Sequence, residues 1–252
     1  MKKILFLLLI VANVITAQNA SDSFTSANNL YKTEKFEEAI QLYQKIETEG
    51  FISSELYYNL GNSYYKLNKV GPSIYYYEKS LKLDPLNEDV KNNLVFARRL
   101  ALDNIEELPN TIFQKFNKNY LQKLSYNQWA IIVIIFSVLG SLLFLIFYFA
   151  TTPSKKRFYF AASSSSLILL AFSLLITYNQ YLASKNNKEA IIFVAKTEVR
   201  NAPTLNSEEV FTLHEGTKVL VLDSVDDWKK IKLSDGKLGW IIADEIKLLS
   251  DF

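Results

Sequence analysis

Apolar and polar positions fall into four patterns along the chain. A short apolar run, Ile4 to Val14, follows Lys2 and Lys3. From Ser23 to Leu102 apolar, small and polar residues recur at helical spacing, and the order of side-chain sizes returns after 34 positions. Ala27 maps to Gly61, Tyr31 to Tyr65, Phe36 to Val70, Ala39 to Ser73 and Tyr43 to Tyr77. Two long apolar stretches follow, and beyond Ala190 the pattern becomes short β-rich runs separated by turn residues. Each pattern predicts a different kind of element.

Residues 1–17 read as a secretory signal peptide, with Ile15-Thr16-Ala17 as the cleavage site before Gln18. The alternative is an uncleaved anchor helix, but the apolar run is short for a bilayer core about 30 Å thick. Residues 129–150 carry no charge and end in the interfacial aromatics Trp129 and Tyr148, which predicts a first transmembrane helix. Residues 158–182 predict a second, interrupted by Ser163-Ser164-Ser165-Ser166. Those hydroxyls can bond back to their own helix or line a close contact with Ser137 and Ser141. Residues 151–157 form the turn between the two helices, and Lys155, Lys156 and Arg157 place it in the cytoplasm by the positive-inside rule. The expected localisation is therefore a bacterial inner membrane crossed twice, with both soluble parts in the periplasm.

The 34-residue period predicts two helical hairpins, Ser23 to Ile46 and Tyr57 to Leu83, in which small residues let paired helices approach. Asp84-Pro85 ends the second, because proline cannot continue a helix. Asn87, Glu88 and Asp89 open a further helix to about Leu102 that covers the open end of the stack. Tyr57, Leu60, Gly61, Tyr64, Tyr77 and Pro85 resemble the tetratricopeptide (TPR) pattern, and residues 18–102 are read as a TPR domain with a capping helix. The resemblance implies a concave partner-binding face presenting Phe24, Asn28, Tyr31 and Lys32 from the first unit and Tyr58, Asn62, Tyr65 and Lys66 from the second. For Tyr31, Tyr58 and Tyr65 a binding role and a packing role are both open. Asn28 and Asn59 match part of a carboxylate clamp, but Phe24, Asp89 and Asn93 stand where it needs cations. Residues 103–128 link this domain to the membrane, and an interfacial amphipathic helix can be drawn around Phe113 to Leu124.

The β-rich runs are residues 191–200, 210–213, 217–223, 228–233 and 237–242, with Asp235-Gly236 as a hairpin turn. Val199-Arg200-Asn201-Ala202-Pro203, Glu215-Gly216-Thr217-Lys218-Val219 and Gly239-Trp240-Ile241 resemble the bacterial SH3 family, so residues 190–252 are expected to form a small all-β SH3-like barrel. Members bind peptides or peptidoglycan, or dock other domains. The fold class expected is a multidomain membrane protein: all-α TPR repeats, two transmembrane helices and a C-terminal barrel.

Charge and composition narrow the chemistry. Outside Lys2, Lys3 and the basic turn the chain carries 23 basic against 26 acidic side chains, so nucleic acid is not an expected partner. With no cysteine, thiolate nucleophiles and cysteine-ligated metals are excluded, and the only methionine is Met1. The single histidine, His214, has no metal-ligand or base partner in the sequence pattern and reads as a surface turn residue. No enzyme, cofactor or metal site is expected. The domain order as a whole resembles the BatE-type proteins of the Bacteroidetes aerotolerance operon. That resemblance implies partnership with von Willebrand A-domain Bat proteins, indirectly with a MoxR-type ATPase, in a complex linked to oxidative-stress tolerance. A cell-wall-binding module that recruits envelope enzymes is the competing expectation.

Overall fold

The computed structural model describes residues 20–106 and 108–249, and the leader read at 1–17 lies outside them. The chain divides into two compact units. One combines the chain up to Leu108 with everything from Lys188, and the other is Pro109–Asn187.

In the first unit, α1 (residues 20–32), α2 (Phe36–Thr48), α3 (Ser54–Lys66) and α4 (Val70–Leu83) form two antiparallel pairs, followed by α5 (Glu88–Arg98). Local chemistry sets the ends. Ser53 and Asn87 cap α3 and α5 by accepting from the amides of Leu56 and Val90. The turn inside each pair uses a residue in the left-handed region, Glu34 (φ 62°) in the first and Asn68 (φ 56°) in the second, again 34 positions apart. Gly61 leaves room for a ring, since a Cβ there would lie 2.5 Å from Cδ1 of Tyr77. The covering helix ends at Arg98, before the expected Leu102.

The C-terminal part is one antiparallel sheet of β1 (Lys188–Ile192), β2 (Lys196–Arg200), β3 (Glu209–His214), β4 (Lys218–Val225), β5 (Trp228–Lys232), β6 (Leu238–Ile242) and β7 (Ile246–Leu248), in the order β3-β2-β6-β5-β4-β1-β7. The run read as one strand over 191–200 is two. Phe193 leaves the ladder to donate its amide to the Glu245 carbonyl, so β1 pairs with β4 and β7 while β2 pairs with β3 and β6.

Helices and sheet share a core. Ile191 and Leu249 are buried in the same apolar cluster as Tyr43, Leu60, Ile74, Tyr77 and Leu94. Gly216 (φ 86°) meets α4 so closely that a Cβ would lie 2.8 Å from Cδ1 of Ile74. Tyr75 sets its ring edge-on to Phe193, centroids 5.3 Å apart, and its hydroxyl donates to the Leu248 carbonyl at 3.3 Å. A chain of alternating charges runs through the seam. Lys82 lies 3.3 Å from Glu189, Glu189 2.9 Å from Lys218, Lys218 2.9 Å from Glu78, and Glu78 2.5 Å from Arg98. Burial alone would push the Glu78 carboxyl up, but Lys218 and Arg98 more than offset this and hold it below its ordinary value.

Residues 103–106, read as linker, belong to this unit. Asp103 accepts from the backbone amide of His214 at 2.7 Å, from the Thr217 hydroxyl, and pairs with Nδ1 of His214 at 2.7 Å; Ile105 packs on the sheet core. His214 is thus a latch residue rather than a bare turn residue. Nothing in its own neighbourhood of sequence announces Asp103, which stands 111 positions earlier.

The second unit holds α6 (Ile112–Phe116), a π-helical turn (Asn117–Leu121), α7 (Tyr126–Phe149) and α8 (Pro153–Asn186). Among the described residues two helices, α7 and α8, are long and apolar enough to cross a membrane. Proline at the first position lets α8 start at Pro153. The turn read over 151–157 therefore shortens, and Lys155, Lys156 and Arg157 fall in the first turn of α8. The helices touch through small residues. Ser163 donates to the Gly140 carbonyl at 3.1 Å and Ser166 to the Phe136 carbonyl at 2.9 Å, both across the pair rather than back along α8. Ser141 bonds within α7, so Gly140 takes the part expected of Ser137 and Ser141.

Glu78→Gln should destabilise the first unit by about 3 kcal/mol, because it removes the central anion of a buried charge chain whose outer members still reach water. The sign with pH follows from the lowered carboxyl. Its contribution is present above the ordinary glutamate value of 4.5 and is lost as pH falls through the lower folded value, so melting temperature should drop on acidification. Thermal melts of the full chain across this range, wild type against Glu78→Gln, should show the variant with the shallower acid decline.

Candidate functional site

The face formed by α1 and α3 is built twice with the same parts. In the first pair Phe24 packs against Tyr43, centroids 5.8 Å apart; in the second Tyr58 packs against Tyr77 at 6.2 Å. The Tyr43 hydroxyl donates to Oδ1 of Asn28 at 2.6 Å, and Nδ2 of Asn59 donates to the same oxygen at 2.9 Å. One repeat later the Tyr77 hydroxyl donates to Oδ1 of Asn62 at 2.7 Å, joined by Nδ2 of Asn93 at 2.8 Å. Asn93 also donates to the Tyr58 hydroxyl at 3.2 Å. Tyr43 and Asn59 differ from Tyr77 and Asn93 by one period, so the ladder ties α1 to α2 and α3, and α3 to α4 and α5.

This ladder divides the expected site residues. The carbonyl oxygens of Asn28 and Asn62 are spent inside the stack, while their amide nitrogens make no intramolecular bond among the described residues. One N–H of Asn59 is engaged with Asn28. Phe24 and Tyr58 are half-buried braces for Tyr43 and Tyr77. Tyr31 stands edge-on to Phe36, centroids 5.3 Å apart, and burial together with the neighbouring Tyr58 raises its hydroxyl pKa. Tyr65 is half-buried, whereas Lys32 and Lys66 are exposed. Tyr31, Tyr65, the two asparagine amides and the exposed Lys32 and Lys66 are thus the groups on this face with chemistry to offer.

Two arrangements escaped the sequence reading. Between α2 and α4 the buried Lys79 lies 2.8 Å from Glu47 and 4.3 Å from the ring centroid of Tyr57, with the Tyr76 hydroxyl donating to Glu47 at 3.2 Å. Tyr76 in turn stacks on Tyr64, centroids 5.5 Å apart. On the sheet, an open groove of about 240 Å³ is lined by Arg200, Leu205, Trp228, Ile242 and Glu245 among others. Arg200 donates to the carbonyls of Leu205 and Ser207 at 2.8 and 2.6 Å and pairs with Glu198, and the Thr197 hydroxyl donates to Glu245. The tyrosine spacing hinted at the first arrangement; the groove joins residues from strands far apart in sequence.

Asn62→Ala should cost about 1–3 kcal/mol, because the Tyr77 hydroxyl and the Asn93 amide lose their shared acceptor inside the stack. Chemical denaturation of the full chain measures it, and Lys66→Ala, on the exposed end of the same helix, should change stability little.

With this geometry in view, the comparisons with known proteins are specific to two parts of the chain. Residues 54–87, the second helical pair, match the tetratricopeptide repeat model. Residues 195–247 match the bacterial SH3 domain model. That second match begins after β1, so the strand that docks on α4 lies outside it. No curated protein matches the chain. The protein carries a tetratricopeptide repeat and a bacterial SH3 domain.

Proposed function

We propose that the protein is a non-catalytic scaffold of a bacterial inner membrane, anchored by α7 and α8, that captures other membrane proteins through the α1/α3 face. The observation that carries this reading is the twice-built face itself. Its polar groups are committed to holding the stack, and it leaves two half-buried tyrosines and two amide donors for an incoming peptide or helix.

The membrane part rests on the apolar exterior of the hairpin. Ile131, Ile134, Ile135, Leu142 and Leu145 are exposed along α7 while only Gly140 in that helix is buried, a distribution that water would penalise and lipid would not. The first unit draws chain from both sides of the hairpin, which fits an even number of crossings. Lys155, Lys156 and Arg157 beside the turn support a cytoplasmic turn and a periplasmic first unit, by the positive-inside rule. The resemblance to BatE-type proteins narrows the partners to von Willebrand A-domain membrane proteins, with a MoxR-type ATPase indirectly attached, in a complex serving oxidative-stress tolerance. With no cysteine and Met1 as the only methionine, the chain would serve that role by holding partners rather than by sensing oxidant.

A second reading, peptidoglycan binding, is favoured by the groove beside Trp228, whose mostly polar lining includes the charged Arg200 and Glu245 and suits a zwitterionic stem peptide. Co-sedimentation of the full chain with purified cell wall separates the two. Retention in the pellet, abolished by Trp228→Ala, would favour the wall reading.

Tyr31→Ala combined with Tyr65→Ala should lower partner capture by about 2 kcal/mol or more, roughly thirtyfold in affinity, with the fold intact by circular dichroism. Co-purification of membrane partners after crosslinking reads the effect, and undiminished capture would count against the α1/α3 face. A reporter that works only in the cytoplasm, fused after Phe252, should stay silent; activity there would overturn the two-crossing topology.

A further inference from the structure

We propose that the segment from Thr111 to Leu124 is an interfacial anchor that lies on the membrane surface and binds anionic phospholipid. The proposal rests on the membrane reading of α7 and α8 above.

Four large apolar side chains on this segment face away from protein. Ile112 is 84%, Phe113 87%, Phe116 54% and Tyr120 63% exposed, and neither α6 nor the π turn buries any residue. At about 3.6 residues per turn these four share one arc of the helix, while Lys115 and Lys118 fall on the other side. The start of the helix is fixed by a capping box in which Thr111 and Gln114 exchange side-chain and backbone bonds. Its shape is therefore set without any covering group.

Its height along the hairpin is set as well. The Leu121 carbonyl at the end of the π turn accepts from Nε1 of Trp129 at 2.9 Å and from the Gln180 side chain, so it is tied to both long helices at one level. At the same end the rings of Tyr126 and Tyr181 meet edge-on, centroids 6.1 Å apart. Tryptophan and tyrosine at the ends of spanning helices settle at the depth of lipid headgroups. The exposed phenylalanines thus start at headgroup depth, continuous with the apolar exterior of α7.

Charge selects the occupant. The sequence holds no acid from Pro109 to Ser154, and Lys115 and Lys123 are exposed on the segment. An apolar arc with cations and no anions, held at headgroup level, matches a leaflet bearing anionic phosphates. A protein groove would have to cover the same apolar arc without the benefit of that charge match.

Because the chain has no cysteine, one introduced thiol can be labelled without background. Full-length Phe113→Cys, Lys115→Cys and Ile134→Cys would each carry a nitroxide and be reconstituted in phosphatidylcholine vesicles with and without phosphatidylglycerol. Collisions with dissolved oxygen and with a water-soluble nickel chelate then report depth. With phosphatidylglycerol present, the label at 113 should favour oxygen at least about twofold more than the label at 115, and the label at 134 should be deepest. Omitting phosphatidylglycerol should shift the label at 113 towards water. Water-like behaviour at both 113 and 115, with 134 in lipid, would overturn the anchor and leave the hairpin standing. A label at 113 shielded from both relaxants would mean a protein occupant and overturn the lipid assignment. Indifference to phosphatidylglycerol would overturn the role of the lysines, and water-like behaviour at 134 would bring down the membrane reading and the anchor with it.

Discussion

A carboxylate leaves water only when cations and donors replace its hydration, and Glu78, its side chain 8% exposed, is tolerated because Arg98 and Lys218 reach it from either side. Arg98 comes from the covering helix and Lys218 from the sheet, 140 positions along the chain. The pairing fixes where the sheet meets α4, and the apolar contacts follow from that placement. Ile191 and Leu249 then close a cluster that two helical pairs and one cover could not close alone. Short repeat arrays bury too little surface to be firm by themselves. Here the missing neighbour is supplied in cis by a sheet rather than by a third repeat.

The tyrosine–asparagine ladder adds a second level of order. Polar groups inside a stack must be satisfied, and this chain satisfies them with one arrangement used twice, Tyr43 with Asn28 and Asn59, then Tyr77 with Asn62 and Asn93. Asn28 and Asn62 each accept two bonds on one side and keep the amide for the other. A face so constructed is rigid beneath and polar above, which suits recognition of a backbone without relying on one side chain.

What could be read from the residues, and what could not, depends on whether the cause was local. The period, the helix start at Asn87, the stop at Asp84-Pro85, the long apolar helices and the turn at Asp235-Gly236 are consequences of neighbours in sequence, and each was legible, whereas the cap at Ser53 was passed over. The ladder was half legible. Its members stand one period apart, but the period was read for side-chain size, which explains Gly61 and Ser73 and says nothing of Asn59. The seam was not legible, because Glu78, Asp103, Glu189, His214 and Lys218 carry no signal until the fold gathers them. For the same reason the hydroxyls of Ser163 and Ser166 read first as bonding along their own helix, whereas the close approach at Gly140 gives them the carbonyls of Gly140 and Phe136 across the pair.

The seam also governs the order in which the molecule can be made. A chain emerging from its N-terminus completes α4 long before Lys218 exists, so Ile74 and Glu78 wait without their counterparts while the hairpin is synthesised. Contacts separated by so much chain close slowly, since loop entropy must be overcome before they contribute. Closure of the first unit therefore waits on the last quarter of the chain, which brings Ile191, Lys218 and Leu249.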